Sequence, residues 1–183
     1  MKKILNKIAR WKFIIPLLLL STLFNFYLFP KNEVVYNNES LKSLDIRKSY
    51  TKEDVLDLFL KMGDEGRNTY HFATGVIDMI YPLVYGALLI LLLVKLLQYI
   101  FKKKSWYIYL SLLPILIMIF DYIENINTLL MLSKYPEISN IHVSFGSMVS
   151  GIKWYLVSVI LVILITGFLF LIVKNIVLYL RKN

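Results

Sequence analysis

The chain has 183 residues, 58% of them apolar, no cysteine and a formal charge of +9. That length suits one domain, but the apolar share exceeds the roughly 45–50% of globular chains, and the excess lies in long runs of the kind that cross a bilayer. Without thiols there is no disulfide framework, thiolate nucleophile or Cys-ligated zinc.

The first apolar run, FIIPLLLLSTLFNFYLF, predicts a membrane span over about 13–29. Lys2, Lys3, Lys7, Arg10 and Lys12 precede it. A signal peptide starts the same way. This run is long for one, and no A-x-A-like site follows, so it reads as a retained anchor. Pro30 is expected to close it.

Residues 31–70 are polar and hold seven Lys/Arg and eight Asp/Glu. Within them a short amphipathic helix is predicted over 51–62. Thr51 can cap it, Glu53 and Asp54 suit its N-terminal dipole, and Gly63 can end it. Val55, Leu58, Phe59 and Met62 share one face at helical spacing. That face should lie on the membrane surface or pack over the mouth of the bundle.

Three further spans follow, over about 71–97, 106–132 and 143–173. Trp11, Trp106, Tyr107 and Tyr109 read as interface anchors. The N-terminal segment, the 95–104 turn and the stretch from Lys174 carry twelve Lys/Arg and no acid. The 31–70 segment and the 133–142 loop carry eight Lys/Arg and nine acids. The basic side should face the cytoplasm. The expected architecture is an all-α, four-transmembrane-helix bundle with a short extracytoplasmic amphipathic helix. It forms a single membrane domain over 1–183 in the cell membrane, with both termini cytoplasmic. Topology accounts for the charge, and no nucleic acid partner is implied.

Four ionisable side chains then remain inside spans: Asp78, Asp121, Glu124 and Lys153. Each would cost about 2.5–3.5 kcal/mol near the bilayer centre if unpaired. At 1.5 Å per residue, all four fall about 10–18 Å from the outer span ends. They should therefore meet in the bundle interior. On span 2, His71, Thr74, Gly75, Asp78, Tyr81, Pro82 and Tyr85 form one stripe, which Arg67 extends outward. On span 3, Asp121, Glu124, Asn125 and Thr128 do the same. On span 4, Gly146, Ser147, Ser150 and Gly151 precede Lys153, and small residues four apart admit a close helix neighbour. Pro82 cannot bond the carbonyl of Asp78, which leaves that oxygen seeking a donor.

The motifs Gly63-Asp64-Glu65-Gly66-Arg67 with Tyr70, Asp78-Met-Ile-Tyr81-Pro82, Asp121-Tyr-Ile-Glu124-Asn125 and Lys153 resemble an uncharacterised family of small bacterial four-helix membrane proteins. The resemblance spans somewhat over half the chain and implies no activity.

Three functions follow as expectations. The first is an outward-opening polar pocket that binds or passes a small polar ligand, a lipid headgroup or a proton. Asp78, Asp121 and Glu124 would accept, Lys153 and Arg67 would be counter-charges, and Tyr81, Tyr85 and Asn125 would orient the ligand. Four spans are few for transport, so this reading favours a homo-oligomer. The second is an intramembrane enzyme using two carboxylates as acid and base on a lipid-linked substrate, with Asp78, Asp121, Glu124 and Lys153 as candidate catalytic groups. The third is an accessory subunit in which the cluster is interhelical glue. Membrane lipid is the expected partner. No cofactor motif and no metal-ligand spacing is present; His71 reads as a solvated end residue and His142 as a loop residue.

Overall fold

A computed structural model describes residues 2–37, 39–101 and 106–181. Lys102, Lys103 and Lys104 of the predicted basic turn, and Lys182 of the tail, lie outside the described residues. Helix α1 (Lys2–Ile8) leads into α2 (Trp11–Leu23), which passes through a π turn (Phe24–Leu28) into α3 (Phe29–Lys31). Pro30 therefore does not close the helix. It sits in α3 just after the π turn, and the helix runs on to Lys31 although proline supplies no N–H there.

A two-stranded antiparallel hairpin follows, β1 (Val35–Tyr36) and β2 (Glu39–Ser40), with Val35 opposite Ser40. Nothing in the sequence predicted it. Helix α4 (Lys52–Phe72) starts on a capping box. Asp54 N–H donates to the Thr51 hydroxyl at 3.2 Å, and Thr51 N–H donates to the Asp54 carboxylate at 2.8 Å. Gly63 breaks α4 into two rods, with φ 62° and ψ −175°, so the predicted end of the amphipathic helix is a kink. The stripe of Val55, Leu58, Phe59 and Met62 is buried with Leu44, Tyr70, Met131, Ile138 and Val143. It packs over the bundle and not onto the bilayer surface.

Only glycine adopts the Gly63 conformation at ease. A methyl group there would meet nothing within 4 Å, so Gly63→Ala costs backbone strain alone. The expected loss is about 1–3 kcal/mol of stability, read as a lower melting temperature. An unchanged melting temperature would show that the chain straightens at no cost.

From Phe72 the chain continues through a second π turn (Ala73–Ile77) into α5 (Asp78–Ile100). The predicted second span is thus the inner part of a longer helical stretch. Helices α6 (Tyr107–Ser111), α7 (Pro114–Ser133) and α8 (Asn140–Leu180) complete the chain. Four helical stretches are long and apolar enough to cross a membrane: Trp11–Lys31, Lys52–Ile100, Tyr107–Ser133 and Asn140–Leu180. Helix α8 has 41 residues, and its C-terminal part beyond Gly167 is exposed on nearly every side.

Helix α5 is the hub: α2, α7 and α8 all pack on it, α7 and α8 pack closely on each other, and α2 packs chiefly on α5. Leu93, Leu97, Tyr107, Ile108, Ile117 and Ile160 close one end of the bundle. Tyr107 is 1% exposed and donates to the Asn6 side chain at 3.2 Å. It is a core residue rather than the interface anchor expected from the sequence.

Candidate functional site

Helices α5, α7 and α8 bring the four ionisable residues together. Lys153 on α8 reaches both acids of α7. Its ammonium donates to Asp121 Oδ1 at 3.0 Å and forms an ion pair with Glu124 Oε2. Spacing of three residues puts Asp121 and Glu124 on one face of α7, so one cation serves both. The remaining acceptors are also used. Tyr85 donates to Asp121 Oδ2 at 2.6 Å, and Ser150 donates to Glu124 Oε1. Glu124 is wholly buried, and Asp121 and Lys153 nearly so. A buried charge needs a partner, and each member of this triad has one; Glu124 Oε2 has the ion pair with Lys153 and no hydrogen bond of its own among the described residues.

The backbone around Asp78 is irregular on both sides. Its N–H closes the π turn onto the Ala73 carbonyl. Pro82, four residues on, offers no N–H to its carbonyl. Asn125 supplies the missing donor, with its amide 2.9 Å from the Asp78 carbonyl oxygen. Asn125 thus binds backbone, and it does not line the cavity described below.

The Asp78 carboxylate is different from the other three. The residue is 7% exposed. Among the described residues its side chain has no hydrogen bond and no ion pair. It faces a cavity of about 610 Å³ that Asp121, Lys153, Tyr81 and Tyr85 also line.

Helix α2 and the π turn after it supply a wall of this cavity that the sequence reading missed. Asn25 donates to the Tyr81 hydroxyl at 2.6 Å, and Ser21 lies 3.5 Å from it. The Tyr81 ring stacks on Phe24, with centroids 5.3 Å apart. The available signal was a pair of polar residues four apart in an otherwise apolar run.

The segment between the hairpin and α4 supplies the cover. Residues 41–50 run as a strap from α4 to α8. Leu44 N–H donates to the Tyr70 hydroxyl at 3.0 Å, Trp154 Nε1–H donates to the Asp45 carbonyl at 2.9 Å, and Tyr50 N–H donates to Ser147 Oγ at 3.0 Å. Asp45 lines the cavity. Tyr50 is buried against Gly146 and Asn127. Burial, then the Glu124 carboxylate, pushes its phenol above the ordinary range, so it stays protonated. The small residues of α8 therefore admit the strap: Gly146 faces Tyr50, Ser147 bonds it, and a methyl on Gly151 would lie 3.3 Å from the Lys48 carbonyl. The close neighbour expected from the sequence was another helix.

Other residues lie elsewhere. Arg67 donates to the Phe59 carbonyl at 2.7 Å, pairs with Asp64, and stands 4.5 Å over the Tyr135 ring. It does not line the cavity and is no counter-charge to Asp78. His71 is exposed. His142 is in the first turn of α8, not a loop, and clamps α7: its carbonyl accepts from Asn127 at 2.9 Å and its ring lies 3.1 Å from Asn127 Oδ1.

Comparison with protein-family models, with curated proteins and with solved structures gives no match.

Proposed function

We propose that this chain is a four-span protein of the cell membrane whose cavity opens on the extracytoplasmic side and binds a polar group at Asp78. The group is a small polar ligand, a lipid headgroup or a proton. The basic ends and turn lie in the cytoplasm, and the strap and α4 lie outside. The reading rests on one observation. Asp78 is an unpartnered carboxylate, nearly buried and turned into a cavity, while Asp121 and Glu124 are both held by Lys153. Buried polar groups are almost always bonded, and ionisable groups at membrane depth mark functional paths by default. The triad fills the role of interhelical glue, and the binding role falls to Asp78. Acid–base catalysis would need a second free carboxylate near Asp78. Lys153 holds both Asp121 and Glu124, so the alternative reading, acid–base catalysis, falls to Asp78 with Asp45, which lines the same cavity.

The chain has no cysteine, so single-cysteine labelling tests the reading directly. In sealed vesicles, Asp78→Cys should react with a membrane-impermeant cationic thiol reagent added on the strap side. Ile126→Cys, on the exposed apolar flank of α7, should not react from either side. Reaction of Asp78→Cys only from the opposite side, or from neither, overturns the outward-opening pocket.

A further inference from the structure

We infer that the cavity takes an amphiphile with an ammonium headgroup, the ammonium on Asp78 and its apolar chain running inward between α2 and α8. The inference rests on the binding reading above and names its ligand class.

Charge selects the headgroup. The charged residues lining the cavity are Glu33, Asp45, Asp78, Asp121 and Lys153. Four are acidic, and the one cation is already held between Asp121 and Glu124. Among the described residues an anionic headgroup would find no free positive charge here and would meet like charge on several sides, whereas an ammonium finds Asp78 without a partner. Aromatic rings add to this. Tyr81, Tyr85 and Trp154 line the same space, and ring faces attract cations.

Shape selects the tail. Below Asp78 the lining first passes Tyr85, Asp121 and Lys153, which bond one another, and then turns apolar, with Leu88 and Leu89 of α5, Ile117 of α7 and Val157 of α8. Leu88 lies ten residues beyond Asp78, about 15 Å along the helix. Water has few partners in such a space, and a small hydrophilic cation would leave it unfilled. A hydrocarbon chain fills it and adds favourable burial. The volume, about 610 Å³, lies within the roughly 300–1,000 Å³ of ligand pockets.

The packing also supplies a way in. Ser21, Asn25 and Phe29 line one side, and Lys153, Trp154 and Val157 the other. Helix α2 packs chiefly on α5, not on α8. The cavity occupies the space between α2 and α8, so a chain can slide in sideways from the bilayer.

The test uses the full chain in neutral detergent, melted with dodecylamine, dodecanol, dodecyl sulfate at sub-denaturing concentration, or ethylamine. Dodecylamine at ten times its Kd should raise the melting temperature by about 3–6 °C, and the other three should not. Asp78→Asn should abolish the rise while melting no lower than wild type. Val157→Trp, which fills the apolar end and keeps Asp78, should also abolish it. An equal rise with dodecanol, a rise with dodecyl sulfate, or a full rise in Asp78→Asn overturns the inference. If Asp78→Cys is labelled from the strap side and dodecylamine still has no effect, the ammonium ligand fails and the pocket stands. Nanodiscs distinguish the sources. Stabilisation by phosphatidylethanolamine over phosphatidylglycerol, lost in Asp78→Asn, identifies a bilayer lipid. Stabilisation by dodecylamine alone identifies a non-bilayer amphiphile. Both results uphold the ammonium chemistry.

Discussion

Lys153→Met is expected to destabilise the protein by about 3–5 kcal/mol, a fall in melting temperature on the order of 10 °C for a chain of this size. Lys153 is 6% exposed and sits between Asp121 at 3.0 Å and Glu124. Methionine keeps much of the side-chain volume but removes the one cation that, among the described residues, pairs with the two buried carboxylates. Glu124 is 0% exposed and cannot turn to water, while Asp121, 5% exposed, has only the cavity to turn to. One must take up a proton or the helices must part. The cost belongs to the stranded acids and not to a lost attraction. Lys153→Met combined with Asp121→Asn and Glu124→Gln should therefore recover most of the loss. Melting the single and triple variants in neutral detergent decides this. A fall of under about 1 kcal/mol in the single variant, or no recovery in the triple, would mean that the acids find other partners.

Gly146→Ala is expected to cost about 1–3 kcal/mol and to loosen the strap. A methyl group on Gly146 would collide with the Tyr50 hydroxyl and the Asn127 amide nitrogen. Both are anchored. Tyr50 is 6% exposed, and its N–H donates to Oγ of Ser147, the residue next to Gly146; Asn127 is 4% exposed and holds the His142 carbonyl. Whichever gives way, one link between α8 and its neighbours is lost. Adding Tyr50→Phe removes one of the two colliding atoms and should return part of the loss. Cysteine labelling gives a second readout: in the Gly146→Ala background Asp78→Cys should react faster, because the strap covers the cavity less well. An unchanged melting temperature together with an unchanged labelling rate would show that the contact relaxes freely.

Much of the interior was legible because membrane-depth charge is expensive. That cost alone placed Asp78, Asp121, Glu124 and Lys153 near one another, and the rule for proline led from Pro82 to an orphaned Asp78 carbonyl, which Asn125 satisfies. The legible part was periodic. Two π turns limit it. The turn at Ala73–Ile77 widens the helix, so residues before it no longer share the register of those after it. The single stripe read from Arg67 through Tyr85 is broken there, and Arg67 and His71 face away from Asp78. The strap was not legible at all. Leu44, Asp45 and Tyr50 lie in a segment with no helical or strand period, and their contacts cross up to 109 residues of sequence. Nor did the sequence distinguish which acid would be left alone. That depended on the one lysine lying nearer α7 than α5.

The length of α8 has a consequence for how the molecule sits in lipid. Forty-one residues make a rod about 60 Å long, while hydrocarbon is about 30 Å thick and the whole bilayer about 40–45 Å. Upright, the rod would push Phe168, Phe170, Val173 and Ile176, all exposed, into water. Leaning at about 40°, the steep end of observed tilts, it spans about 46 Å of depth. At that slope its apolar end would stay within the roughly 40–45 Å of the whole bilayer. An α8 of this length would therefore have to cross a bilayer on a slope, and its packing on α5 and α7 would fix which way it leans.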